Sequence, residues 1–131
     1  MNDLAIAWVD ALRSGKYKQT TRWLRDDDAF CCLGVACELF RQTHGDGEWV
    51  TMPDATARVF VLDNVHITKI LPSRVRTALG LRGNDGEYGA SSQAKRVSLA
   101  LNNDRGMSFS EIADIIESEP EGLFLKESAS E

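Results

Sequence analysis

The chain has 131 residues, 43% of them hydrophobic and 27% charged, with a net charge of -5. That length supports one domain with a real core, and the longest apolar run is far too short to span a membrane. The acidic balance argues against a general nucleic-acid binder, because phosphate contacts need a positive field, and three clustered cysteines do not make a disulfide framework.

The opening Met-Asn-Asp-Leu lacks the basic start and apolar core of a signal peptide. Together with unpaired cysteines this predicts a reduced, cytoplasmic setting. Charge is unevenly spread. Residues 1–25 carry five basic and two acidic groups, and residues 66–105 carry seven and three. The intervening residues 26–65 carry two and eight, and residues 106–131 one and seven. A local positive site arises if the two basic segments meet in space.

In chain order, Asn2 caps a predicted helix to about Ser14, with Leu4, Trp8, Ala11 and Leu12 on one face and Gly15 as its stop. Residues 16–25 are polar and basic and read as a loop or short extended segment. A second helix is expected directly after Asp26, Asp27 and Asp28, which suit a helix N-terminus as caps and as charges. Its apolar face is nearly continuous (Leu33, Val35, Ala36, Cys37, Leu39, Phe40), which implies central burial. Gly34 within it predicts close approach of another backbone. Gly45-Asp46-Gly47 ends it.

Glu48–Met52, Arg58–Leu62 and Val65–Ile70 read as strands. Leu71-Pro72-Ser73 opens a short helix that Gly80 closes, and Arg82–Gly86 with Gly89 is turn-rich. Ser91 or Ser92 is expected to cap a helix running to about Leu101. The last helix has the clearest start. Ser108 and Glu111 form a capping box, and Met107 and Ile112 supply a hydrophobic staple. Pro120 and Gly122 end it. These elements predict an α+β fold, mostly helical, as a single domain over residues 1–125 with a small antiparallel sheet. Residues 126–131 are expected to form a frayed tail.

Cys31, Cys32 and Cys37 raise three readings. Zinc needs four donors, usually in two close pairs. Adjacent Cys31 and Cys32 point roughly 100° apart on a helix with 3.6 residues per turn, and only His44 and His66 remain to complete a site, so no metal is expected. A cysteine nucleophile gains from a helix N-terminus but loses to the neighbouring carboxylates. Its base is missing too: on a continuous helix His44 lies about 18 Å along the axis from Cys32 at 1.5 Å per residue. Core packing is the reading that remains. His44 is expected to be exposed beside its turn, and His66 to be a structural side chain. No catalytic residue and no cofactor are assigned.

The best candidate site lies in residues 13–19 with Arg22 and Arg25 after them. Arg13, Lys16 and Arg25 offer charge for a phosphate or carboxylate. Tyr17 and Trp23 offer stacking surfaces, and Gln19 reads an amide or base edge. Asn103 and Asp104, in a second polar loop, are expected to orient the ligand. Residues 106–113 also resemble the opening of a helix-turn-helix unit, but the following Glu117–Gly122 segment is acidic and helix-breaking, where a recognition helix needs base-reading and phosphate-binding side chains.

Two blocks carry a family resemblance. Ala11–Gln19, Leu24-Arg25 and Phe30–Val35 with Cys37, and at the other end Leu101–Phe109 with Glu111-Ile112-Ala113, resemble a family of small uncharacterised bacteriophage and prophage proteins. The resemblance implies expression inside a bacterial host cell and no particular reaction. The leading expectation is therefore a non-catalytic phage-type accessory protein. It would bind a small anionic, nucleotide-like ligand or inhibit a host defence protein through Arg13, Lys16, Tyr17, Gln19, Arg25, Asn103 and Asp104. The alternatives are a cysteine-dependent hydrolase or transferase and a helix-turn-helix-like DNA-binding regulator. Oligomeric state is left open.

Overall fold

The computed structural model describes residues 1–89 and 97–125. The predicted tail, 126–131, and the first part of the helix expected from Ser91 or Ser92 lie outside the described residues. Among those residues the order is α1 (Asp3–Arg13), β1 (Lys18–Gln19), β2 (Arg25–Asp26), β3 (Ala29–Phe30), α2 (Cys32–His44), β4 (Glu48–Thr51), β5 (Arg58–Leu62) and β6 (Val65–Ile67), then α3 (Ser73–Leu79), β7 (Glu87–Tyr88), β8 (Val97–Ser98), α4 (Leu99–Asp104) and α5 (Phe109–Glu117). Of the described residues 39% are helical and 21% are in strands, so the α+β class fits but "mostly helical" does not. The single antiparallel sheet is also corrected. There are three small sheets among the described residues, ordered β1-β3-β2, β4-β5-β6 and β7-β8, and β1 runs parallel to β3. Two-residue strands carry no measurable alternation, which is why the sequence pattern hid them.

The predicted end signals of the first and last helices act as expected. The Asn2 side chain accepts the Ala5 N–H, and Ser108 and Glu111 complete their capping box. The β4-β5-β6 meander lies where β-formers concentrate. Its second hairpin turns on Asp63-Asn64, both left-handed (φ 54° and 64°) as a tight two-residue turn requires.

Two expectations fail locally. Asp26, Asp27 and Asp28 do not cap α2. Asp26 pairs with Ala29 and Arg25 with Phe30, so Asp27 and Asp28 form the turn between β2 and β3, with Asp27 left-handed at φ 54°. Aspartate tolerates that region well, and the hairpin uses it there. The helix expected to reach Leu101 is instead β8 followed by α4. Ser98 caps α4 by accepting the Leu101 N–H at 3.0 Å. The amides of Leu99 and Ala100 donate to the carbonyls of Gly86 and Asp85 (3.0 and 3.1 Å), which holds this corner against the turn-rich loop.

The core gathers around α2. Every residue from Cys32 to Glu38 is buried, and α1, α3 and α4 pack on this helix while α5 packs on α1. Trp8, Phe40, Phe60, Leu99, Ile112 and Ile116 are among the large side chains fully enclosed. Gly34 is the closest approach. A β-carbon there would land on the carbonyl oxygen of Leu24, so only glycine lets the segment carrying Leu24 cross the helix. Gly34→Ala is expected to destabilise the protein by about 3 kcal/mol, at the upper end of overpacking costs, measured as a lower urea midpoint. An unchanged midpoint would show that the crossing is looser than described.

Candidate functional site

The start of α2 organises the region that the sequence singles out. The first amides of a helix have no partner within it, and here other segments supply them. Cys31 N–H donates to the Leu24 carbonyl (3.1 Å) and Cys32 N–H to Asn103 Oδ1 (3.1 Å). Gly34 N–H donates to Cys31 Sγ (3.4 Å), so a thiol serves as the N-cap. The Cys32 carbonyl accepts from the indole N–H of Trp8 (2.9 Å).

All three thiols are buried. Burial raises the Cys31 thiol to about 11, against the opposing amides at the helix start, and it raises Cys32 and Cys37 well above their ordinary range. The Cys32 thiol donates to the Leu99 carbonyl at 3.5 Å. His44 is exposed and stacks on Phe40 with ring centroids 4.2 Å apart. His66 is exposed on β6 rather than structural, which corrects the expectation drawn from its apolar neighbours. Among the described residues no imidazole bonds a thiol, and no group of three His, Cys, Asp or Glu side chains is placed to hold a metal ion.

The structure does bring the two polar loops together, and it uses several predicted ligand groups to do so. Gln19 Nε2 donates to Asn103 Oδ1 (3.0 Å) and to the Met107 carbonyl (2.8 Å), while its Oε1 accepts the Phe109 N–H (3.2 Å). Asn103, fully buried, also donates to the Thr20 carbonyl (2.8 Å). Asp104 accepts the Arg22 N–H at 2.7 Å. Each polar side-chain atom of Gln19 and Asn103 therefore has a partner within the fold. Arg13 lies apart from this knot. Its guanidinium bonds Asp114 (2.6 Å) and Glu117 (2.9 Å) of α5, and these two carboxylates raise its pKa further.

Tyr17 and Arg25 join a different cluster. Tyr17 meets Phe30 edge-on at 5.5 Å, Phe30 meets Trp49 at 5.8 Å, and the Arg25 guanidinium lies over Phe30 (5.0 Å) and Trp49 (5.5 Å). Beneath it the buried Glu38 carboxylate accepts from Arg41, Gln42 and the Trp49 indole. Burial would raise its pKa, but these hydrogen bonds outweigh it and hold the carboxyl below its usual range.

Lys16, Lys18, Arg22 and Arg105 are exposed, and their side chains have no hydrogen-bond or ion-pair partner among the described residues. The sequence reading missed Lys69, whose ammonium lies 5.0 Å over the ring of Trp23. It comes from the second basic segment, brought in by the bond from Leu24 N–H to the Thr68 carbonyl (2.7 Å). No local pattern announces that pairing. A positive charge next to an exposed-side tryptophan becomes visible only once the chain is folded.

A family model described as "Domain of unknown function (DUF8296)" matches residues 2–120. The chain belongs to this family. No curated protein and no solved structure matches it. The DUF8296 match runs from the cap of α1 through α5, so both polar loops and the start of α2 fall within it.

The burial of sulfur has a direct test. In the native DUF8296 protein, a chromogenic disulfide reagent at neutral pH is expected to label no thiol within minutes, and all three after denaturation. One rapidly labelled thiol in the native state would contradict the geometry.

Proposed function

We propose that this DUF8296 protein is a non-catalytic binding protein of bacteriophage type, acting in the cytoplasm of a bacterial host, with a small anionic, nucleotide-like ligand as its target. The observation that carries this reading is the junction of residues 19–22 with 103–107, which joins the two basic segments and leaves cations facing solvent. Lys16, Lys18, Arg22 and Arg105 supply charge, and Tyr17 and Arg25 add an aromatic and a guanidinium beside them. Gln19, Asn103 and Asp104 orient the loops rather than touch the ligand. Arg13 steadies α1 against α5.

The competing classes are less well supported. A cysteine hydrolase needs a thiolate, and burial opposes one at all three positions. A helix-turn-helix regulator needs a recognition helix after α5, and no helix follows α5 among the described residues. Among the described residues no helix is long and apolar enough to cross a membrane.

Calorimetric titration with ATP and with inorganic triphosphate tests the reading. The wild-type protein is expected to bind at least one of them in a salt-dependent manner, and the double variant Lys16→Glu/Arg22→Glu to bind about tenfold more weakly or worse with an unchanged melting temperature. Equal binding by the variant would displace the site. Failure of both probes, with an acidic host protein retained instead from infected cells, would replace the small ligand by a protein target.

A further inference from the structure

An open hollow of about 570 Å³ lies between Trp23 and the loop Asp54–Ala57. Its two walls are fixed by main-chain bonds. Asp27 N–H donates to the Thr56 carbonyl (2.7 Å) and Asp26 bridges Ala57, which pins the far wall to the β2–β3 turn. On the near wall, Trp23 N–H donates to the Thr21 carbonyl (2.9 Å) and Leu24 N–H to the Thr68 carbonyl (2.7 Å). The indole is half-buried and lines the hollow, while Lys69 lies over the same ring without forming part of the lining.

The groups around this hollow differ in chemistry and complement one another. Trp23 offers a planar apolar surface. Arg22, next in the chain, has a left-handed backbone (φ 74°), uncommon for a residue other than glycine, asparagine or aspartate. Asp104 holds it there by accepting its N–H, and the Arg22 side chain has no partner among the described residues. Such a conformation persists where its surroundings impose it. Asp54, also left-handed (φ 57°), contributes to the opposite wall an exposed carboxylate with no partner among the described residues.

We infer that this hollow is the nucleoside subsite of the proposed anion-binding face. The base stacks on Trp23, a ribose hydroxyl donates to the Asp54 carboxylate, and Arg22 and Lys69 face the phosphates. This assignment rests on the reading above and narrows it. An anion alone needs the cations but has no use for Trp23 or Asp54, whereas a nucleotide uses all of them. Aromatic stacking of one base contributes roughly 1–3 kcal/mol, about tenfold or more in affinity.

The test compares ATP with inorganic triphosphate on the full chain. The wild-type protein is expected to prefer ATP by about tenfold or more, and to show a change in tryptophan fluorescence with ATP only. Trp23→Leu is expected to erase that preference while triphosphate binding stays as it was. Asp54→Asn, on an exposed loop, is expected to narrow the gap between ATP and its 2′,3′-dideoxy analogue. Equal affinity of the wild type for ATP and triphosphate would overturn the subsite and leave the anion-binding face standing. Absence of binding by either probe would remove both.

Discussion

One carboxamide holds this molecule's most distant pieces together. The Asn103 side chain, from α4, accepts the first free amide of α2 and the Gln19 amide, and donates to the Thr20 carbonyl. It is fully buried, where an unmet polar group costs about 1–3 kcal/mol, and every one of its polar atoms is met. A hydrophobic residue of similar size could fill the space, but it could not specify which loop meets which helix. The positions of residues 19–22, the start of α2 and the turn after α4 all follow from that satisfaction.

The sulfur-rich helix makes sense against the same constraint. The N-terminus of α2 is crowded by the Leu24 carbonyl, by Trp8 and by α4, with a glycine at the closest of these approaches. Cysteine is small, tolerates full burial, and can still accept a weak hydrogen bond from an amide. Cys31 does this where serine, threonine or aspartate would ordinarily cap. A carboxylate in so enclosed a place would carry a large desolvation cost. The three thiols are therefore packed within the fold, with Cys31 also capping α2.

Much of the helical framework was legible in the chain. Asn2, the Ser108–Glu111 box, Gly45 and Gly80 mark ends by local rules that do not depend on partners, and Gly34 announced a close crossing before the crossing segment was known. The short strands were not legible, because two-residue pairings have no period. Asp26–Asp28 satisfied two rules at once, helix cap and turn, and pairing of Arg25 with Phe30 decided for the turn. At the site, the sequence pattern assigned Gln19, Asn103 and Asp104 to a ligand, whereas in the fold they bond one another and the main chain. Hydrogen-bond saturation is a property of the folded state. Lys69 carried only the positive balance of its segment as a signal, since its meeting with Trp23 depends on a bond between Leu24 and Thr68.

Membership of DUF8296 supplies a family without an activity, and the proposed binding role rests on geometry: buried sulfur within, two basic segments joined at one face, and a tryptophan-walled hollow beside them. All of it depends on the clasp between Asn103 and the start of α2. Native-state hydrogen exchange followed at the Cys32 amide is the most direct measurement. The clasp predicts that this amide opens only with global unfolding in the wild-type protein, and that it exchanges by local opening in Asn103→Ala. Rapid exchange of the Cys32 amide in the wild type would mean that Asn103 does not hold these segments, and the joined basic face would lose its foundation.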